Sequence, residues 1–241
     1  TPPKWLVDRH PDMLAVDPET GRTRGFGSRR HYDFSSDAYL AACRGIVTAL
    51  ADRYGRHPGV AGWQTDNELC CHDTALSASP VARDAFRVWL KDRYGDVATL
   101  NAAWGNVFWS MEYRSFDEIE LPVGAVTETS PAHRMAWRRF SSDQVVRFHR
   151  AQLEILRPRS PGRFITHNFI PMNETGVDNH AVADGLDFAS YDNYPLGRTD
   201  LLMKDAPPDV FRPWMRTGHP DFGAFFLDQT RGLAPGPFWI M

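Results

Sequence analysis

The stretch Gly59–Glu68, GVAGWQTDNE, decides how this chain is read. Val60, Ala61, Trp63 and Thr65 suit a pleated, buried segment, and Gly59 and Gly62 permit close packing against neighbours. A short apolar run bounded by turn residues is the mark of a buried parallel strand. Asp66, Asn67 and Glu68 then follow in a row. Three such groups at the carboxyl end of a buried strand are costly unless they face a cavity. In barrels and open α/β sheets, that end is where ligands bind. The plainer reading makes Asp66 the start of a turn and Glu68 a solvated side chain.

Working outward, Ser35 or Ser36 can cap a helix that carries Tyr39, Cys43, Ile46/Val47, Leu50 and Tyr54 on one stripe and closes at Gly55. Before it, residues 7–34 hold Pro11, Pro18, Gly21, Gly25 and Gly27 and read as a long loop. Its basic part, Arg22–His31, reads as exposed, and Thr1–Leu6 reads as the exit of an earlier strand. After the central strand, Ser79-Pro80 opens a helix to Tyr94, Thr99–Trp104 forms a short one, and residues 106–129 form an aromatic loop. Ser130-Pro131 opens the longest helix, running to about Arg157.

Further strands are expected at Gly162–Asn168, Leu186–Tyr194, Phe222–Asp228 and Pro237–Met241. The alternation of helices and strands predicts an α/β fold with a parallel sheet. Three strands finish in polar residues: Asp66-Asn67-Glu68, His167-Asn168 and Asp192-Asn193-Tyr194. Their repetition at one polarity suggests the rim of a single barrel pocket. No linker or change of composition splits the chain, so residues 1–241 read as one domain.

The net charge of −3 offers no electrostatic case for nucleic acid or an anionic membrane as partner. No apolar run approaches the roughly 18 residues of a membrane span. No charged-then-apolar leader precedes TPPKWL, so a cytoplasmic location is expected, and both ends read as cut. No phosphate-binding glycine loop, HExxH or GxSxG motif is found. Cys70 and Cys71 are adjacent, which matches no C-x₂-C metal pattern, and neither metal nor cofactor is expected. Trp89, Trp104 and Trp137 lie at helical spacing and read as core. The rim residues suit glycoside hydrolysis, which needs a carboxylic acid to protonate the leaving oxygen and a second carboxylate. Asn67 beside Glu68 suits a hydrogen bond to the sugar hydroxyl next to the anomeric carbon. Trp109, His167, Asn168 and Tyr194 offer an aromatic face and neutral hydrogen-bonding groups.

Together GWQTDNE, FRVWLKDRYGDVATLNAAWGNVFWSMEYRSFDEI, RRFSSDQVVRFHRAQLEILR, ITHNF, DFASYDNYP and the terminal FWIM resemble family 42 of the glycoside hydrolases, retaining β-galactosidases with a (β/α)₈ TIM barrel. The resemblance runs from TPPKWL to Met241. It implies a barrel present in part, about strands four to seven with their helices, acting on galactosides. By position, Glu68 matches the family's general acid/base and Asn67 the residue holding the sugar 2-hydroxyl. Trp109 matches a tryptophan of the galactose subsite, while His167, Asn168, Asn193 and Tyr194 fall on the ends of strands five and six. The family's nucleophile is the Glu directly after the FW-x-M strand, which here would follow Met241; Glu68 is thus expected to rest protonated, its pKa raised by burial and that neighbour's charge. The first three strands, the eighth and later domains are likewise outside this sequence, and the open sheet is expected to leave unpaired edges. Many members hold zinc through clustered cysteines; Cys71 matches one, but the remaining spacing is missing, so no zinc is expected. Trimers are the implied assembly. Three alternatives stay open: a related barrel glycosidase for another sugar, a carbohydrate-binding barrel without catalysis, and a metal-binding or redox role for Cys70 and Cys71.

Overall fold

The computed structural model describes residues 1–170 and 176–241. In chain order it contains α1 (Lys4–Arg9), α2 (Asp37–Tyr54), β1 (Gly62–Gln64), α3 (Pro80–Tyr94), α4 (Val97–Trp104) and α5 (Pro131–Arg159). There follow β2 (Phe164–Phe169), α6 (Asn179–Ala183), β3 (Phe188–Tyr191), α7 (Pro195–Leu202), α8 (Pro208–Phe211), α9 (Pro220–Arg231) and β4 (Trp239–Ile240). The strands form one parallel sheet in sequential order, β1-β2-β3-β4. Helices intervene at every step, so all carboxyl ends lie on one rim. This is the winding of a barrel arc rather than of a doubly wound sheet.

Several helix boundaries follow from local chemistry. Ser36 Oγ accepts the Tyr39 amide at the start of α2. Ser79 Oγ accepts the Ala82 amide at 2.9 Å to cap α3, with Pro80 in the first turn. The same hydroxyl donates to Asp33 Oδ2 at 2.6 Å, and Asp33 is buried. It thereby fastens the long N-terminal loop to α3. Ser79→Ala removes the cap and strands one oxygen of a buried carboxyl. A loss of about 2 kcal/mol in unfolding free energy is expected, read from denaturant midpoints at constant m.

Two glycines are required by close approach. A Cβ on Gly62 would lie 2.4 Å from the Phe164 ring on β2, and one on Gly55 would lie 2.4 Å from the Arg159 carbonyl at the end of α5. α5 serves three cores, one of them through Leu153, Ile155 and Leu156 at its C-terminal end. Its first half places Ala136, Trp137 and Phe140 with Phe86, Leu90, Leu100 and Trp104 of α3 and α4. Its second half places Val145, Phe148 and Ala151 against Tyr39 and Leu40 of α2 and Phe169 and Ala189 of the sheet. Phe148 stacks on Tyr39 at 5.6 Å with the rings 8° apart. Trp104 and Trp137 are core residues, and Trp89 packs partly buried against them.

Four expectations change. The central strand is only Gly62–Gln64, because Asp66 and Glu68 adopt left-handed backbone (φ 51° and 39°) and leave the ladder. Lys4–Arg9 is helical instead of a strand exit. Phe222–Asp228 lies inside α9: Pro220 occupies its first turn, His219 Nδ1 accepts the Asp221 amide, and Phe226 and Thr230 form the buried i, i+4 face. The basic stretch is exposed only as far as Arg29, since Arg30 and His31 are buried. The sheet edge is open as expected: Trp239, Ile240 and Met241 remain about half exposed. No described helix is long and apolar enough to cross a membrane.

Candidate active site

The residues after β1 cannot continue as strand, and four of the next eight, Asp66, Glu68, Cys70 and His72, have positive φ. Non-glycine residues seldom hold this conformation, and when they do the surroundings must fix it. Here side chains do so. His167 Nδ1 lies 2.6 Å from the Thr65 carbonyl, while its Nε2 accepts the Leu69 amide at 3.2 Å. The imidazole is therefore neutral with its proton on Nδ1, and burial lowers its pKa to about 4. Arg30 Nη2 donates to the Glu68 carbonyl at 2.7 Å and to the Asn67 carbonyl. Asn168 Oδ1 accepts the Glu68 amide at 3.1 Å and Gln64 Nε2 at 2.9 Å.

This turn directs the Glu68 carboxyl into a polar cluster. Glu68 is only 4 % exposed. Asn67 Nδ2 donates to its Oε2 at 3.2 Å, and the Tyr194 hydroxyl donates to Oε1 at 3.2 Å. Arg29 Nη2 stands 3.9 Å from Oε2. Asn168 Nδ2 donates to Asn67 Oδ1 at 3.0 Å and to Asp192 Oδ2 at 2.9 Å. Asn168 thus links the Glu68 backbone to the Asp192 carboxyl.

Two neighbouring carboxyls shift each other's titration. Burial and then the hydrogen bond and charge of Glu68 push Asp192 up to about 6. For Glu68, burial acts upward, but the hydrogen bonds from Asp192 and Tyr194 and the charges of Arg29 and Arg30 outweigh it and hold the group below its ordinary value. The expectation of a resting protonated Glu68 counts on the charge of a nucleophile outside this sequence; the described residues by themselves hold Glu68 low.

Of the expected site residues, Glu68, Asn67, Asn168 and Tyr194 meet in one cluster. His167 does not face it: the ring is 1 % exposed and both nitrogens are occupied by backbone groups. Asn193 is tied through its amide to the Met241 carbonyl at 3.2 Å, at the β3–β4 end of the rim. Trp109 lies apart. It stacks on Phe108 at 4.6 Å and lines a cavity of about 580 Å³ with Trp104, Met111 and residues 127–131. Its loop packs onto the α3–α4–α5 core, with Tyr113 and Phe116 against it, rather than over the strand ends.

The structure adds Arg29, Arg30, Gln64 and Asp192. Asp192 was visible as the first member of Asp-Asn-Tyr, whereas the arginines sit in a glycine-rich loop that carries no signal of burial. A metal fits poorly here. Cys71 Sγ is 3.1 Å from His72 Nδ1 and lies beside Arg30. Among the described residues no three His, Cys, Asp or Glu side chains converge as ligands.

Comparison with known proteins accords with this geometry. A family model for glycoside hydrolase 42, described as beta-galactosidase, matches residues 1–241. The beta-galactosidase of Thermus thermophilus is 54% identical over 241 residues, covering all of this chain and 37% of the relative. Among solved structures, the beta-galactosidase of the psychrophilic Marinomonas ef1 superimposes with a TM-score of 0.95 at 55% identity, over all of this chain and 36% of that one. The enzyme of the Antarctic haloarchaeon Halorubrum lacusprofundi gives 0.92 at 45% identity, over 100% and 35% of the two chains. The present chain spans about a third of the length of these relatives. Its four strands are part of a (β/α)₈ barrel.

Proposed function

The chain belongs to the glycoside hydrolase 42 family of beta-galactosidases along its whole length, and from that premise we propose that residues 1–241 form part of the catalytic barrel of an enzyme hydrolysing terminal β-D-galactosides with retention. One observation carries the reading: a buried carboxyl at the end of β1, bonded to Asn67 and Tyr194 and linked through Asn168 to Asp192. Glu68 is the general acid/base. Its proton passes to the glycosidic oxygen as the bond to the aglycone breaks. Asn67 binds the sugar 2-hydroxyl, a contact that strengthens as the anomeric carbon becomes cationic. Asn168 orients both, and His167 braces the turn. Tyr194 and Asn193 line the strand-end rim.

The nucleophile of this reading is a Glu following Met241. Met241 extends the β3–β4 ladder, donating to the Tyr191 carbonyl at 2.8 Å and accepting the Asn193 amide. Retention requires the two carboxyls about 5–5.5 Å apart. Assembly as a homotrimer, with no nucleic-acid or membrane partner, and a cytoplasmic location belong to the same reading.

The test is hydrolysis of a panel of nitrophenyl glycosides by the full-length protein, with proton NMR of the first-formed sugar. Preference for the β-galactoside and initial release of β-galactose are expected. Initial release of the α-anomer rejects retention. Preference for a glucoside or arabinoside favours a related barrel glycosidase, and sugar binding without hydrolysis a non-catalytic barrel.

A further inference from the structure

Arg30 is 5 % exposed, and among the described residues no carboxylate forms an ion pair with it. A buried guanidinium without such a partner is costly, so its position needs a cause. Its own backbone is also left-handed, at φ 64°. The atoms it holds are the carbonyls of Asn67 and Glu68, the latter also accepting the Cys71 amide at 3.0 Å. The two residues so fixed carry the hydrogen-bonded Asn67 and Glu68 side chains. The titratable groups within electrostatic reach of the guanidinium are Glu68, Asp66, the Cys71 thiol, the Tyr32 hydroxyl and His167.

We propose that Arg30 is a positioning residue for Glu68: by clamping two successive carbonyls beneath the turn, it fixes where the acid/base carboxyl stands relative to the glycosidic oxygen. His167 clamps the same turn from its flanks, at Thr65 and Leu69. Arg29, the neighbour on the exposed side, instead faces the carboxylate itself. The inference rests on the reading of Glu68 as acid/base.

The experiment compares R30M, R30Q and R30K with E68A in the full-length protein. Substrates are lactose, which needs leaving-group protonation, and dinitrophenyl β-galactoside, which does not. Azide is added because it attacks the anomeric carbon of the glycosyl-enzyme without needing a base, forming galactosyl azide and releasing the enzyme carboxylate. A misplaced acid is expected to lower kcat on lactose about 10- to 100-fold in R30M and R30Q, with KM little changed. The loss on the dinitrophenyl substrate should be partly recovered by azide, and R30K, able to hold one carbonyl, should fall between R30M and wild type. Equal losses on both substrates without azide rescue, or failure of R30M and R30Q to fold, overturn the positioning role. E68A separates the two readings: if azide does not rescue it, the acid/base assignment itself fails.

Discussion

Glu68→Gln in the full-length protein is expected to lower kcat on lactose by about 10²–10⁴, the range attributed to a positioned general acid and base. At about 1.4 kcal/mol per tenfold, this corresponds to roughly 3–5 kcal/mol of transition-state stabilisation. The substitution is nearly isosteric, so the 4 % exposed site keeps its packing and Tyr194 keeps a carbonyl to bond. What is lost is the proton that can be given and retaken. A dinitrophenyl leaving group departs without protonation, so formation of the glycosyl-enzyme is spared while its hydrolysis slows. A burst of nitrophenolate followed by a slow steady state is the expected trace. Asp192 offers an independent check, because its raised pKa depends in part on the Glu68 charge. In the variant, its titration should move down toward the ordinary carboxylate range. Normal lactose turnover by Glu68→Gln would reject the assignment.

What was legible in the sequence follows from how locally each feature is determined. Asp66-Asn67-Glu68, His167-Asn168 and Asp192-Asn193-Tyr194 were readable as one rim because strand polarity fixes where carboxyl ends fall, and β1, β2 and β3 are parallel neighbours. Helices with a serine cap and a following proline were equally readable, as at Ser79-Pro80. The Phe222–Asp228 run misled because a short apolar stretch has no clear period, and the deciding signal, His219-Pro220, lies outside it. Arg30 was illegible for a different reason. Its burial is set by two carbonyls 37 and 38 residues away, and nothing in a glycine-rich basic loop announces that. His167 shows a third case: its position at the rim was correct, but which face its ring takes is decided by Thr65 and Leu69 on the neighbouring strand's turn.

The same backbone cradle makes the fold sensitive to acid. His149 is fully buried, with Nδ1 3.3 Å from the Thr65 hydroxyl and its ring 5.9 Å from His167. Burial, with the neighbouring His167 adding to it, lowers its pKa from 6.5 to about 3. Burial lowers His167 from 6.5 to about 4. In the unfolded chain both imidazoles take up a proton near pH 6.5, whereas the folded state refuses it until far lower pH. Between these limits the unfolded state binds more protons, so stability rises with pH; it is complete above about pH 6.5 and is lost as pH falls toward 4. Each unit of depression corresponds to about 1.4 kcal/mol, so the two groups together withdraw several kcal/mol. That is a large share of a typical stability of about 5–15 kcal/mol. Asp192, raised in the folded state, acts in the opposite sense, but its site is partly open to water and the effect there is screened. Because both histidines touch Thr65, the segment lost first should be the turn that carries Glu68. Thermal unfolding of the full-length protein from pH 7 to 4 is expected to show a steep fall in Tm, with activity lost alongside and regained on prompt return to pH 7. His149→Phe, which keeps an aromatic ring but cannot protonate, should flatten that fall while lowering Tm at pH 7 through loss of the Thr65 hydrogen bond. A Tm that stays level from pH 6.5 to 4 in the unsubstituted protein would show that these imidazoles are free to protonate in the folded state, and the buried clamp would not be as drawn.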